Sequence, residues 1–183
     1  MSFFGNNAMI EKIFSRYRNF GFSGSRLSVP KGCQQAANLI PENSTIFVGC
    51  AKGVDEYFRQ RFPEAKVSKA SDFGSDKGSF VQRSAYVISF VKCRHGLWVS
   101  FPDKECPIGL FPSDNKANCF CGMGSGTWAS LAYALGWGVP CLVYLGNIPK
   151  PRGWELFPIN GSKGWYGCSV VADVPSPSQL ILF

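Results

Sequence analysis

A chain of 183 residues that is 45% hydrophobic and 17% charged has the apolar material for one sizeable core, which excludes a disordered linker or a solvated coil. The formal charge of +7 favours anionic partners in general. It does not choose between nucleotide, nucleic acid and lipid headgroup, because the basic residues are scattered rather than gathered into a tail.

No run of about 18 apolar residues occurs, so no membrane association is expected. The N-terminal stretch MSFFGNNAMIEKIFSRYRNF carries charges within its apolar pattern and lacks a small-residue cleavage site, which predicts a cytoplasmic protein. In that reducing compartment the eight cysteines are expected to be small core residues rather than a disulfide framework.

Met9, Ile10, Ile13, Phe14 and Tyr17 recur at helical spacing and predict a first helix from Ala8 to about Arg18. A strand over Asn19 to Ser23 then runs into Gly24-Ser25-Arg26. Pro30 suits the first turn of a helix that closes near Leu39, and a second strand spans 44–49. The stretch 49-GCAKGVDEYFRQRFPEA-65 reads as a loop entering a helix that Pro63 stops, with a short strand KVSKA after it.

Residues 71–78 read as a mobile polar loop. Residues 79–92 read as a helix with Phe80, Ala85, Tyr86 and Val87 inward, although its second half, YVISFV, fits a strand as well. Strand 97–101 leads to a connection from Pro102 to Cys121, a length usual for functional or disordered loops. The stretch 122-GMGSGTWASLAYALGWGVPCLVYLG-146 combines a Gly-rich turn, a helix stopped by Gly136-Trp137-Gly138, and the buried strand CLVYL. The tail from Trp154 offers two or three short β segments, of which WYGCSVVAD is the clearest.

This alternation predicts one α/β domain over residues 1–183: a Rossmann-like, mostly parallel sheet flanked by helices, with short C-terminal β segments. A strand, a small-residue turn and a helix in succession present unpaired N–H groups at the positive end of a helix dipole, where an anion is favoured. Three junctions have this form: Gly24-Ser25-Arg26, Gly49 to Asp55, and Gly122 to Thr127. In a parallel sheet all three converge on one crevice. The dinucleotide fingerprint and the Walker A loop are both missing, because GFSGSR lacks the glycine spacing and neither Gly53 nor Gly126 precedes Lys-Ser/Thr.

The order of these junctions resembles the SLOG superfamily, which joins the DNA-processing protein A family to the LONELY GUY phosphoribohydrolases. The stretch 48-VGCAKGVDEYF-58 is similar to the G-G-A-x-G-x-D segment of the first branch at Gly49, Gly53 and Asp55, with Cys50 at its second glycine. The stretch 124-GSGT-127 is similar to the P-G-G-x-G-T-x-x-E motif of the second, with Gly122 at the proline and Met123 at a glycine. Arg83 resembles the family's helix arginine. Ser130 stands where the phosphoribohydrolases carry their catalytic glutamate, and a hydroxyl does not replace a carboxylate at an oxocarbenium-like centre.

The expected function is capture of a nucleotide or nucleotide-derived ligand, for sensing or sequestration, with no cofactor and no metal. Ser25, the Gly24 amide and the Arg26 fork are assigned to a phosphate. Asp55 takes ribose hydroxyls or caps its helix. Gly124, Ser125, Gly126 and Thr127 hold a second phosphate or the ribose, Lys52 adds charge, and Trp128 stacks the base. Two alternatives remain: a nucleoside monophosphate phosphoribohydrolase using Glu56 or Asp55, and single-stranded DNA binding. The resemblance also implies a homo-oligomer, for which the apolar stretch 129-ASLAYAL-135 is the candidate contact. Cys93, His95, Cys106, Cys119 and Cys121 invite a zinc reading that their C-x-H and C-x-C spacing fits poorly.

Overall fold

The computed structural model describes residues 8–172. Its elements are α1 (Ala8–Ser15), β1 (Asn19–Gly24), α2 (Lys31–Leu39), β2 (Thr45–Gly49), α3 (Val54–Arg61), β3 (Lys66–Ser68), a 3-10 turn at Ala70–Phe73, α4 (Gly78–Cys93), β4 (Leu97–Phe101), α5 (Lys116–Cys119), α6 (Gly126–Gly136), β5 (Cys141–Tyr144), β6 (Phe157–Pro158), β7 (Trp165–Gly167) and α7 (Ser169–Ala172). They form an α/β fold around one sheet of order β3-β2-β1-β4-β5-β7-β6. The pairings from β3 through β5 are parallel, and β7 runs antiparallel to both β5 and β6.

Side chains alternate across a strand, so one sequence feeds two cores. Phe20, Phe22, Leu97, Val99 and Phe101 face α1, α2 and α3, where they meet Ile13, Phe14, Ala36 and Phe58. Trp98, Cys141 and Val143 point the other way and pack with Val87, Val91, Trp128 and Leu131 of α4 and α6. Burial on both faces explains why the strands LWVSF and CLVY read as continuous apolar runs rather than alternating ones.

Several sequence expectations are corrected here. The first helix ends at Ser15, short of Arg18. YVISFV is helical throughout, and the buried face of α4 passes through Ser79, Arg83, Val87, Ile88 and Val91, leaving Phe80 and Tyr86 half exposed. Val87 is inward as expected; Arg83 takes a place on that inner face, which is why counting apolar residues put Phe80 and Tyr86 on it.

The polar loop from residue 71 starts inside the 3-10 turn, and Asp76 closes it by accepting from the Ser79 amide at 3.0 Å. The long connection 102–121 is packed. It buries Leu110 and Cys119, contains α5, and is tied down by the indole N–H groups of Trp128, donating to the Lys104 carbonyl at 2.9 Å, and of Trp154, donating to the Leu110 carbonyl at 3.0 Å.

Residues 129–134 are buried within the chain itself, so the α6 face expected to meet another subunit is already covered. In the tail FP and WYG pair as the short strands β6 and β7, SVVA forms α7 instead of continuing the strand, and the part of the expected β region beyond residue 172 lies outside the described residues. No described helix is long and apolar enough to cross a membrane.

Candidate functional site

In the order β3-β2-β1-β4-β5, the chain builds outward from β1 in one direction and then returns to place β4 on its other side. Connections on either side of that step leave in opposite directions, which opens a crevice beyond the carboxyl ends of the two strands. A cavity of about 540 Å³ lies there. Its lining brings together Gly24, Ser25 and Arg26 after β1, Gly49 and Asp55 around the β2–α3 loop, Arg83 of α4, and Gly124, Ser125, Gly126 and Thr127 at the start of α6. Arg26 and Gly126, 100 residues apart in sequence, therefore share one cavity.

Lys52, Gly53 and Trp128 are not part of that wall. Lys52 is exposed on the β2–α3 loop. Gly53, at φ 70°, packs against the Ser25 carbonyl, so its role is to seat one loop on the other. The neighbouring Val54 amide seals the same junction by donating to the Ser25 carbonyl at 2.9 Å. Trp128 is fully buried, edge-on to Trp154, with its N–H committed to the Lys104 carbonyl, so it has no free face for a base.

Ser25 is also reassigned. Its hydroxyl accepts from the Leu27 and Ser28 amides at 3.0 and 3.2 Å and donates to the Asp103 carboxylate. With those bonds made it shapes the turn and is not free for a phosphate.

Arg83 and Asp55 form the charged side of the cavity. Arg83 Nη1 donates to Asp55 Oδ2 at 3.2 Å, and the same oxygen accepts from the Ala51 amide at 3.2 Å. Asp55 thus organises the loop before α3. The helix's N-cap is Gly53, so the capping role is not the one it plays. Burial pushes the Asp55 carboxyl above its ordinary range, although the Arg83 guanidinium, the Ala51 amide and Arg59 pull the other way. Arg83 is 9% exposed, and its Nε has no hydrogen-bond partner. A buried donor without a partner is costly, so the Arg83 side chain carries a donor that the described residues leave unsatisfied.

At the opposite wall, Ser125 caps α6, its hydroxyl accepting from the Trp128 amide at 3.4 Å and its carbonyl from the Ala129 amide at 3.0 Å. Among the described residues the amides of Gly126 and Thr127 find no acceptor and are left at the helix start as unpaired donors. Beyond its chain neighbours and its own helix backbone, a Cβ on Gly126 would meet no atom of the described residues within 4 Å, and its φ lies outside the left-handed region, so neither packing among them nor backbone conformation demands glycine there.

Beside the cavity a polar layer ties β1 to β4: the Ser23 and Ser100 hydroxyls are 2.8 Å apart, and the Trp98 indole donates to Ser100 at 3.1 Å.

Ser130 lines the cavity one helical turn into α6 and brings no carboxylate to it. The lining carboxylates are Asp55 and Asp103. Glu56 is exposed and outside the wall, which removes it from the hydrolytic alternative. Among the described residues no group of three or more His, Cys, Asp or Glu is placed to hold a metal, and Cys93 and Cys121 lie at the surface while Cys119 is buried.

Sequence reasoning missed Asp103 and Lys104, which line the cavity just after β4, with Lys104 Nζ donating to the Gly124 carbonyl at 3.0 Å. The available signal was their place directly beyond the carboxyl end of a fully buried strand.

Searches against protein-family models, curated proteins and solved structures give no match to this chain.

Proposed function

We propose that this chain binds a nucleotide or nucleotide-derived ligand in the cavity beyond β1 and β4, and that binding, for sensing or sequestration, is its function. The observation that carries the reading is Gly126: a helix-start residue with no internal need to be glycine, on a cavity wall, beside two unpaired amides. Leaving out the side chain lets an anion approach the positive end of α6 closely. Arg83, with its unpartnered Nε, provides directional charge on the wall from α4, and Arg26 and Lys104 add positive potential at the loops. A cavity of about 540 Å³ is within the range of small-molecule sites.

The likeness of the three junctions to the SLOG superfamily points to the same ligand class. Ser130 at the position of the family's catalytic glutamate favours capture over cleavage of the glycosidic bond.

Thermal unfolding against a panel of nucleoside mono-, di- and cyclic phosphates tests the reading. A ligand at 100 times its Kd raises stability by about 2.7 kcal/mol. The expected result is a concentration-dependent rise in Tm with at least one member and no release of ribose 5-phosphate. A panel with no shift at millimolar concentration overturns the proposal.

A further inference from the structure

We infer that Phe80, together with Arg26, is the stacking platform for the ligand's base, so that the site takes a nucleotide through its ring as well as through its phosphate. The inference rests on the nucleotide reading above.

Phe80 sits in the first turn of α4 and lines the cavity while remaining 40% exposed. The inner face of α4 runs through Ser79, Arg83 and Val87, so the ring of Phe80 is not held out of water by the core. What covers it is the Arg26 guanidinium, 4.8 Å from the ring centroid. Among the described residues that guanidinium makes no hydrogen bond or ion pair, so a planar cation rests on the ring through the face contact alone.

Nucleobases and guanidinium groups both stack flat on aromatic rings, so a base that enters stacks on the platform that Phe80 and Arg26 form. Leu27, 92% exposed, and Val87 add apolar surface to the same cavity lining. An exposed aromatic, an unanchored arginine and an exposed leucine in one cavity with two unpaired helix-start amides match a molecule with a flat ring at one end and an anion at the other. Trp128, the aromatic that sequence position favours, is excluded by its burial.

Isothermal titration of the wild-type chain with AMP, GMP and ribose 5-phosphate separates the base from the rest of the ligand. The expected result is that AMP or GMP binds at least about tenfold more tightly than ribose 5-phosphate, an increment typical of one stacked base. Phe80→Ala should remove that increment and leave ribose 5-phosphate binding unchanged, and Phe80→Trp should restore it. Because Phe80 is partly exposed, the urea midpoint of Phe80→Ala should stay close to wild type, which confirms that the variant is folded. Fluorescence of 2-aminopurine riboside 5′-monophosphate should be quenched on binding wild type and not on binding Phe80→Ala.

Equal binding of AMP and ribose 5-phosphate by wild type, or an unchanged ratio in Phe80→Ala, overturns the stacking role while the nucleotide-site reading survives through its phosphate. Failure of all three ligands to bind wild type overturns that reading and the platform with it.

Discussion

Arg83 meets Asp55 across the carboxyl end of β2 through space that Gly49 leaves vacant. The two side chains are 3.2 Å apart, and a Cβ on Gly49 would fall 1.3 Å from Arg83 Nη1. Gly49→Ala should therefore push the guanidinium away and strand a buried carboxylate, at a cost of about 3–5 kcal/mol. Urea unfolding measures it. A loss below about 1 kcal/mol would mean that the pair re-forms elsewhere and that Gly49 is not what admits it.

The same pair fixes a pH dependence. In the unfolded chain Asp55 titrates near 3.8, and burial raises it in the fold despite Arg83, the Ala51 amide and Arg59. The folded protein thus holds this proton more tightly than the unfolded chain. The stability it contributes is complete below the unfolded value and is lost as pH rises through the folded one. Asp55→Asn has no such titration. Relative to Asp55→Asn, the wild type should lose stability between pH 3.5 and neutrality, as read from urea midpoints across about that range. A relative gain with rising pH would show that the attraction of Arg83 outweighs the burial of Asp55.

Trp128 is a core residue that also anchors the loop after β4, and two substitutions separate those roles from ligand contact. Trp128→Phe keeps an aromatic ring but leaves the Lys104 carbonyl without its donor, which should cost about 1–3 kcal/mol. Trp128→Ala should cost about 3–5 kcal/mol through the cavity it opens. In Trp128→Phe the affinity for a nucleotide should stay within about threefold of wild type, since less than about 0.7 kcal/mol of binding energy is at issue. A Trp128→Phe protein of normal stability that no longer binds would return the ring to the ligand site.

How much of this was legible in the residues depends on the kind of contact. The alternation of LWVSF and CLVY with glycine-punctuated helices is local, and it predicts the parallel α/β sheet. The junctions at Gly24, Gly49 and Gly124 were found for the same reason. That β1 lies beside β4 is a tertiary fact, so the position of Asp103 and Lys104 after a buried strand became a cavity position only once the strand order was known. On α4 the sequence places Val87 correctly inward and Phe80 and Tyr86 wrongly, because the charged Arg83 shares the inner face with Val87. Trp128 was misread because an indole after a glycine-rich turn looks the same in sequence whether it stacks a ligand or holds a loop.

Gly126 offers the cleanest separation of stability from function. Its neighbour Gly124 has φ 81°, so any side chain there strains the backbone, and loss of binding in a Gly124 variant would be confounded with loss of fold. Gly126 carries no such penalty: it is the first residue of α6, outside the left-handed region, with open space where a Cβ would go. Gly126→Ala should leave stability unchanged or raise it by up to about 1 kcal/mol, because alanine loses less freedom than glycine on entering a helix. The added methyl group enters the space in front of the two unpaired amides, so nucleotide affinity should fall about tenfold or more, equivalent to about 1.4 kcal/mol. Urea unfolding and titration on one preparation read both quantities. A Gly126→Ala protein that binds as wild type does would mean that the anion is received elsewhere than at the start of α6.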